Sequence, residues 1–381
     1  MLTPSLPQLG LYIHIPWCIK KCPYCDFNSH AVKDVLPETL YIDELLYDLH
    51  RDIQTWEIMR PIETIFIGGG TPSLLSAESI DRLLTGIQRQ VELVENVEIT
   101  LEANPGTFES NKFSDFKRIG INRLSIGIQS FNDRQLKSLG RVHNAKEALR
   151  AVDIAYCSGF DNVNLDLMFG LPGQRLNDAV MDIKTAIELA PTHISFYQLT
   201  LEPNTWFHKF PPPLPKEDEI YQVQEVCQQL LTEHGYQQYE ISAFSKEGKQ
   251  CRHNCNYWRF GDYLGIGAGA HGKISLALPK KIIRTVKCRR PEDYLRRTSS
   301  RSSNEISVEQ LPLEFVMNHL RLKGGFLAKH FSAATGLSLL TLEPALSECV
   351  KAGLLVHEDS LYRCSNKGWS FLDNILEKFI A

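Results

Sequence analysis

The chain has 381 residues, of which 43% are hydrophobic and 23% charged. That is ample material for a folded core, which excludes a disordered or collagen-like chain, and it exceeds what one ordinary domain needs. Forty-one basic against 45 acidic residues leave a net charge of −4, so no overall field draws the chain to nucleic acid or an anionic membrane.

From residue 10 to about 235, apolar β-type runs alternate with amphipathic helical runs. Strands are predicted at 10–15, 62–68, 97–102, 123–128, 162–167 and 193–199. Helices are predicted near 38–55, 76–91, 107–119, 144–158, 174–189 and 216–234. Ser76-Ala77-Glu78 and Asn177-Asp178 read as helix starts, Gly120 and Gly159 as stops. Strands separated by helices imply parallel neighbours, because parallel pairing requires a crossover. Six units fall short of the eight in a closed barrel, so the predicted fold class is α/β, a partial, open (β/α)6 barrel.

A Pro-rich break follows at 208–215, and the Gly-, aromatic- and His-rich stretch 248–273 reads as irregular. Residues 280–301 carry nine Lys or Arg against Glu292 and Asp293, a local +7 that reads as a solvated face. No regularly spaced stacking aromatics accompany it, so nucleic acid is not an expected partner. Residues 299–303 read as an exposed linker. Beyond 305, short helices precede LLVHEDSLYRCS, which has the pattern of a hairpin, giving a small α+β unit of winged-helix type. The predicted domains are 1–235, a middle extension 236–304, and 305–381.

Three of the ten cysteines fall within eight residues (Cys18, Cys22, Cys25), and the next is Cys157. A secreted disulfide scaffold spreads its cysteines evenly. The first residues show no basic stretch followed by an unbroken apolar run, and no segment approaches 18 apolar residues. A cytoplasmic protein without membrane insertion is expected, whose clustered thiols hold metal or do redox chemistry. Cys18-x3-Cys22-x2-Cys25 can wrap three corners of a cuboidal iron–sulfur cluster and leave one iron open. Zinc needs a fourth ligand, for which His14 or His30 is available. Spacing alone favours the cluster.

Gly68-Gly69-Gly70-Thr71-Pro72 ends the second strand, where glycines let backbone approach a ligand; a plain tight turn is the alternative. Glu102, Gln129 and Asp166 lie at or near later strand ends, and Arg141 follows the fourth strand with a fork that suits a carboxylate. Each is singly an ordinary buried polar residue. Together they mark one rim of one barrel. His253-Asn254-Cys255-Asn256-Tyr257-Trp258 sets a histidine beside flat aromatic walls, which suits haem or ordinary packing. Gly265 to Gly272 allows close backbone approach and adds His271 as a candidate ligand.

The segment YIHIPWC followed by CPYCDF resembles the signature of the radical S-adenosylmethionine superfamily. The resemblance implies a 4Fe–4S cluster on Cys18, Cys22 and Cys25, whose open iron binds the methionine part of S-adenosylmethionine. It further implies that Tyr12, Tyr24, Gly70, Thr71, Pro72, Glu102, Gln129, Arg141 and Asp166 contact that cofactor. FIGGGTPSLL, EANPGT, GIQSF and NLDLMFGLPGQ narrow it to the branch holding the oxygen-independent coproporphyrinogen III oxidases and the HemW-type haem chaperones. The oxidase pattern has a cysteine two positions after the third, and here Phe27 stands there. The H-N-x-x-Y-W motif fits the chaperones. That reading implies haem as cargo with His253 as a ligand, and an apo-haemoprotein acceptor of the membrane-bound respiratory kind. A homodimer is compatible with it. Oxidative decarboxylation of coproporphyrinogen III is the competing expectation, and a radical enzyme modifying RNA or protein a third.

Overall fold

The computed structural model describes residues 6–33, 35–107, 110–277, 281–297 and 302–380. Six strands follow the predicted order: β1 (Leu9–Ile15), β2 (Ile62–Gly69), β3 (Leu93–Ala103), β4 (Arg123–Gln129), β5 (Val163–Phe169) and β6 (His193–Gln198). All five neighbouring pairs among them are parallel. Covered on both faces, they read as near-continuous apolar runs. Helices α1 (Glu38–Thr55), α2 (Ala77–Gln88), α3 (Ser110–Arg118), α4 (Ala145–Cys157), α5 (Leu176–Glu188) and α6 (Glu217–Glu233) fill the predicted positions.

The helix signals have local causes. Ser76 Oγ accepts from the Ser79 amide at 3.2 Å and caps α2. Gly120 (φ +110°) and Gly159 (φ +86°) leave their helices in the left-handed region. Helix α5 begins one residue before Asn177, and the Asp178 carboxylate accepts from the Arg175 amide at 2.9 Å.

The sheet does not stop at six strands. On the β6 edge come β7 (Gln237–Glu240) and β8 (Ala243–Ser245); on the β1 edge come β9 (Asp262–Ile266), β10 (His271–Leu276), β11 (Lys281–Val286) and β12 (Ser302–Glu305). The full order is β12-β11-β10-β9-β1-β2-β3-β4-β5-β6-β8-β7. Strand β9 is parallel to β1, and the other additions pair antiparallel. The stretch 248–273 is therefore not irregular: it holds helix α7 (Arg252–Trp258), β9 and the start of β10. Of the expected linker 299–303, Ser302 and Ser303 are in β12, and 299–301 lie outside the described residues.

The basic segment is not simply a solvated face. Lys287 is buried and donates to Asp48 at 2.5 Å and Asp52 at 2.8 Å, both on α1. Arg284 pairs with Glu314, Arg297 with Glu44 and Lys281 with Glu305. Much of the local charge is balanced by acids 24 to 253 residues away in sequence, which no local count reveals.

A single hydrophobic core runs from Leu9 to Tyr294 beneath the sheet and helices. A second core centres on Phe315, Phe326 and Phe331 within 306–379, joined by Phe260 and Ile282. Here Leu355–Glu358 and Leu361–Cys364 form the predicted hairpin, with Asp359 and Ser360 both at positive φ in its turn. Phe326–Leu327 adds a third strand; with helices Leu311–His319, Ala328–Thr335 and Ala345–Lys351 it gives a winged-helix-like arrangement, and Asn366–Ser370 and Leu372–Glu377 follow it. It meets the sheet through a bridge between Glu240 and Leu322.

Candidate functional site

One cavity of about 640 Å³ occupies the lumen of the curved sheet. Alternate residues line it, as a pleated strand requires: Arg123, Ser125, Gly127 and Gln129 from β4, Asn164, Asp166 and Met168 from β5, and His193, Ser195 and Tyr197 from β6. Its mouth is formed by Cys18, Cys22, Tyr24, Cys25 and Phe27 on the loop after β1. The volume lies within the range of small-molecule and cofactor sites.

The loop is held from three sides. Pro16 O and Cys18 O accept from the His30 and Val32 amides, pairing Trp17–Cys18 with His30–Ala31. His14 Nε2 bonds the Asn28 carbonyl at 2.9 Å; a carbonyl only accepts, so Nε2 carries the proton and Nδ1 accepts from the Tyr12 hydroxyl at 2.9 Å. Burial lowers the His14 pKa, which keeps this neutral tautomer. Asn28 Nδ2 donates to the Ala268 and Arg289 carbonyls, both at 2.8 Å. The glycine run is thus a support for the loop: a Cβ on Gly269 (φ +83°) would stand 2.3 Å from the Asn28 side chain. His271 is exposed on β10.

The three thiols are half-buried, and burial pushes up Cys18 and Cys25. Among the described residues no three His, Cys, Asp or Glu side chains close on a single metal ion. Arg141 Nη1 donates to Cys22 Sγ at 3.6 Å, and its Nη2 donates to Gly127 O at 2.8 Å and to Asn104 Oδ1. The expected carboxylate fork is thereby partly engaged, with Nε left unpartnered.

The glycine turn follows from backbone crowding. Gly70 donates to Ile15 O and Thr71 to Trp17 O, each at 2.7 Å. A Cβ on Gly70 would lie 2.5 Å from the Trp17 carbonyl oxygen. Gly69 donates to Glu102 Oε2 at 3.0 Å. Burial first, then the neighbouring charge of Asp166, raises the Glu102 pKa to about 8. Asp166 is held by Ser125 at 3.1 Å and Asn164 at 2.8 Å, while burial raises its pKa. Gln129 sits at φ +71° and accepts from the Tyr197 hydroxyl at 2.7 Å.

Sequence reasoning missed the inner wall. Asn164 Oδ1 accepts from His193 Nδ1 at 2.6 Å, so His193 Nε2 accepts from Tyr239 at 2.8 Å. Tyr239 accepts in turn from the Cys251 amide at 3.2 Å. This chain ties Asp166 to the start of α7. Its only sequence signal is polar residues at alternate positions of otherwise apolar strands.

The aromatic motif divides by face. Glu98 accepts from the Arg252 amide at 3.2 Å and the His253 amide at 3.0 Å, a carboxylate on the helix start. His253 is buried, its Nδ1 within 2.9 Å of Thr64 Oγ1, its ring 5.2 Å from that of Phe66. Burial lowers its pKa to about 3. Gly10 makes room for it, since a Cβ there would lie 3.2 Å from the imidazole. Asn254 and Trp258, one turn apart, line the cavity instead. The structure therefore brings Tyr24, Gly70, Glu102, Gln129, Arg141 and Asp166 to one cavity, leaves Tyr12, Thr71 and Pro72 out of its lining, and sets His253 near the opposite, N-terminal ends of β1 and β2.

A radical SAM superfamily profile matches residues 12–186, and a HemN C-terminal domain profile residues 306–371. Heme chaperone HemW of Escherichia coli K12 is 48% identical over 377 residues, covering 99% of each chain. This chain belongs to the HemW family of the radical SAM superfamily. The HemW of Bacillus subtilis 168 is 36% identical, over 97% of this chain and 98% of its own. Coproporphyrinogen III oxidase HemN of E. coli shares the fold with a TM-score of 0.83 at 21% identity, covering 99% of this HemW-family chain and 91% of the oxidase.

Proposed function

We propose that this chain is a haem chaperone that binds haem and hands it to an apo-haemoprotein acceptor, a membrane-bound respiratory enzyme being the expected kind. One observation carries the reading: a single cavity joins the cysteine loop, the glycine turn and the helix bearing the aromatic motif. Full-length kinship with proteins named heme chaperone HemW supports it.

In this reading Cys18, Cys22 and Cys25 hold a 4Fe–4S cluster, which when bound supplies an electron for cleaving the sulfonium of S-adenosylmethionine. The donor set fits. Both ring nitrogens of His14 are committed, which takes it out of the set available as a fourth zinc ligand. Glu102 and Asp166 offer negative charge to the amino and sulfonium groups, and the Gly70-Thr71-Pro72 backbone approaches closely. Tyr12, Tyr24, Gln129 and Arg141 complete the cofactor wall. The role of His253 is to seat the motif helix, through Thr64 and Glu98, so that Asn254 and Trp258 face the cavity. Phe27, 56% exposed at the mouth, adds an apolar surface there.

Among the described residues no helix is long and apolar enough to cross a membrane. Anaerobically reconstituted protein titrated with haem, with and without S-adenosylmethionine, tests the reading. A saturable Soret shift and transfer of haem to an apo-haemoprotein are expected. Absence of haem binding, or conversion of coproporphyrinogen to protoporphyrinogen under reductant, overturns it.

A further inference from the structure

Arg123 is among the largest fully buried side chains, 2% exposed, and its buried Nε has no hydrogen-bond partner. It lines the cavity from the first position of β4, six residues before Gln129, roughly 20 Å from the rim along an extended strand. An arginine left without acceptors in the interior is strongly unfavourable. Two further donors of the same cavity are also buried and unpartnered: Trp258 Nε1 and Arg321 Nε, the latter from the C-terminal unit. Arg321 lies over the Trp258 ring at 4.4 Å, and its side chain is 32% exposed, so this end of the cavity is reachable from solvent.

The neighbouring acids do not satisfy these donors. Glu98 accepts from two helix amides and the Cys251 thiol; Asp166 accepts from Ser125 and Asn164. Glu240 accepts from the Ser242 amide at 2.8 Å and stands 3.8 Å from Arg321. Acceptors here are supplied with donors, whereas donors are in excess. Three orphaned donors from β4, α7 and the C-terminal unit converge on one volume.

We infer that the inner end of the cavity is a second subsite, which takes a carboxylate, with Arg123 as its anchor and Trp258 and Arg321 closing around it. The inference rests on the haem-chaperone reading for the source of the carboxylate, a haem propionate. A bidentate guanidinium–carboxylate pair is the strong form of this contact.

The test measures affinities of the reconstituted full chain, wild type and Arg123→Gln, for haem, haem dimethyl ester and S-adenosylmethionine. With a propionate in the subsite, Arg123→Gln weakens haem by about tenfold or more, and the wild type binds the ester more weakly than haem by a similar factor. A tenfold loss that falls on S-adenosylmethionine alone, with haem affinity unchanged, overturns the propionate subsite. Unchanged affinity for both ligands, in a variant with wild-type iron content and melting temperature, overturns the subsite. If Arg123→Gln does not fold, Arg321→Gln and the ester comparison decide by the same criteria. A wild type that binds no haem refutes the chaperone reading itself and with it the propionate subsite, whereas haem binding that is indifferent to Arg123→Gln refutes the subsite alone.

Discussion

Gln129 carries its side chain at φ +71°, a backbone state that a non-glycine residue holds only when its surroundings impose it. Asp182 on α5 imposes it: one carboxylate oxygen accepts from Ser130 Oγ and the other from the Phe131 amide, both at 2.7 Å. Asp182→Ala leaves both buried donors unpaired, and at ~1–3 kcal/mol for each it should destabilise by about 2–6 kcal/mol. Asp182→Asn keeps the Phe131 bond and should lose about 1 kcal/mol or less at neutral pH. Burial is the main cause raising the Asp182 pKa from 3.8 to about 6. The folded state thus holds the proton more tightly than the unfolded state, so this group's contribution is fully present below pH 4 and is lost as pH rises through 6. At ~1.4 kcal/mol per unit the loss totals about 3 kcal/mol, of which about 1.3 falls between pH 5 and 7. Urea unfolding of wild type and Asp182→Asn across that window reads the difference, and equilibrium dialysis reads S-adenosylmethionine binding. Wild type should lose stability relative to Asp182→Asn as pH rises, and Asp182→Ala should bind the cofactor more weakly with its iron content retained. A flat stability difference refutes the buried carboxylate; unchanged cofactor binding in Asp182→Ala refutes its hold on Gln129.

Gly70→Ala should force the glycine turn off the Trp17 carbonyl and weaken S-adenosylmethionine binding by at least tenfold, measured on protein whose iron content matches wild type. Replacing Cys18, Cys22 or Cys25 with Ala should remove the iron–sulfur absorbance; full retention of iron and sulfide in the triple variant would disprove the ligand set. Glu102, with its pKa near 8, must ionise to meet a cationic ligand, so cofactor affinity should rise from pH 7 to 8.5 in wild type more than in Glu102→Gln. Equal slopes in the two proteins would count against that pairing. His253→Ala removes the contact to Thr64 and the packing on Phe66 and should lower stability by about 2–3 kcal/mol, read by thermal melting.

The parallel strands were legible because they are buried on both faces, so IETIFIG and RLSIGI announce themselves without any partner in view. The edge strands were not. Gln237–Glu240 (QQYE) and Ser302–Glu305 (SSNE) carry little that favours a strand, and their state comes from backbone pairing with neighbours that were already ordered. The rim of the site was legible as motifs, because close backbone approach demands glycine and clustered thiols demand a function. Arg123, Asn164 and His193 gave no such signal. A polar residue at alternate positions reads as an exposed face until the closure of the sheet turns that face inward. Lys287 was misread as solvated for the same reason: Asp48 and Asp52, which neutralise it, lie on α1, more than 230 residues earlier.

The aromatic motif places its residues on two faces of one short helix. Helix α7 has only seven residues, too short to hold its own position. Glu98 at its first amides, Thr64 at its histidine and the glycine at position 10 fix it against β1, β2 and β3. Asp262, just beyond α7, anchors the following strand to Lys273 at 2.8 Å and to Arg60. With both flanks pinned, the residues left free to face the lumen are those one turn apart on the other side, Asn254 and Trp258. The histidine holds the helix through Thr64 and Phe66, and the tryptophan lines the cavity. A variant that loses haem on replacement of His253 while also losing stability therefore says nothing about ligation; Trp258→Phe, which keeps an aromatic face but removes the five-membered ring with its N–H, probes the contact. It should leave the melting temperature within about 2 °C of wild type and weaken the ligand held at the inner end of the cavity, and an unchanged affinity would take Trp258 out of that site.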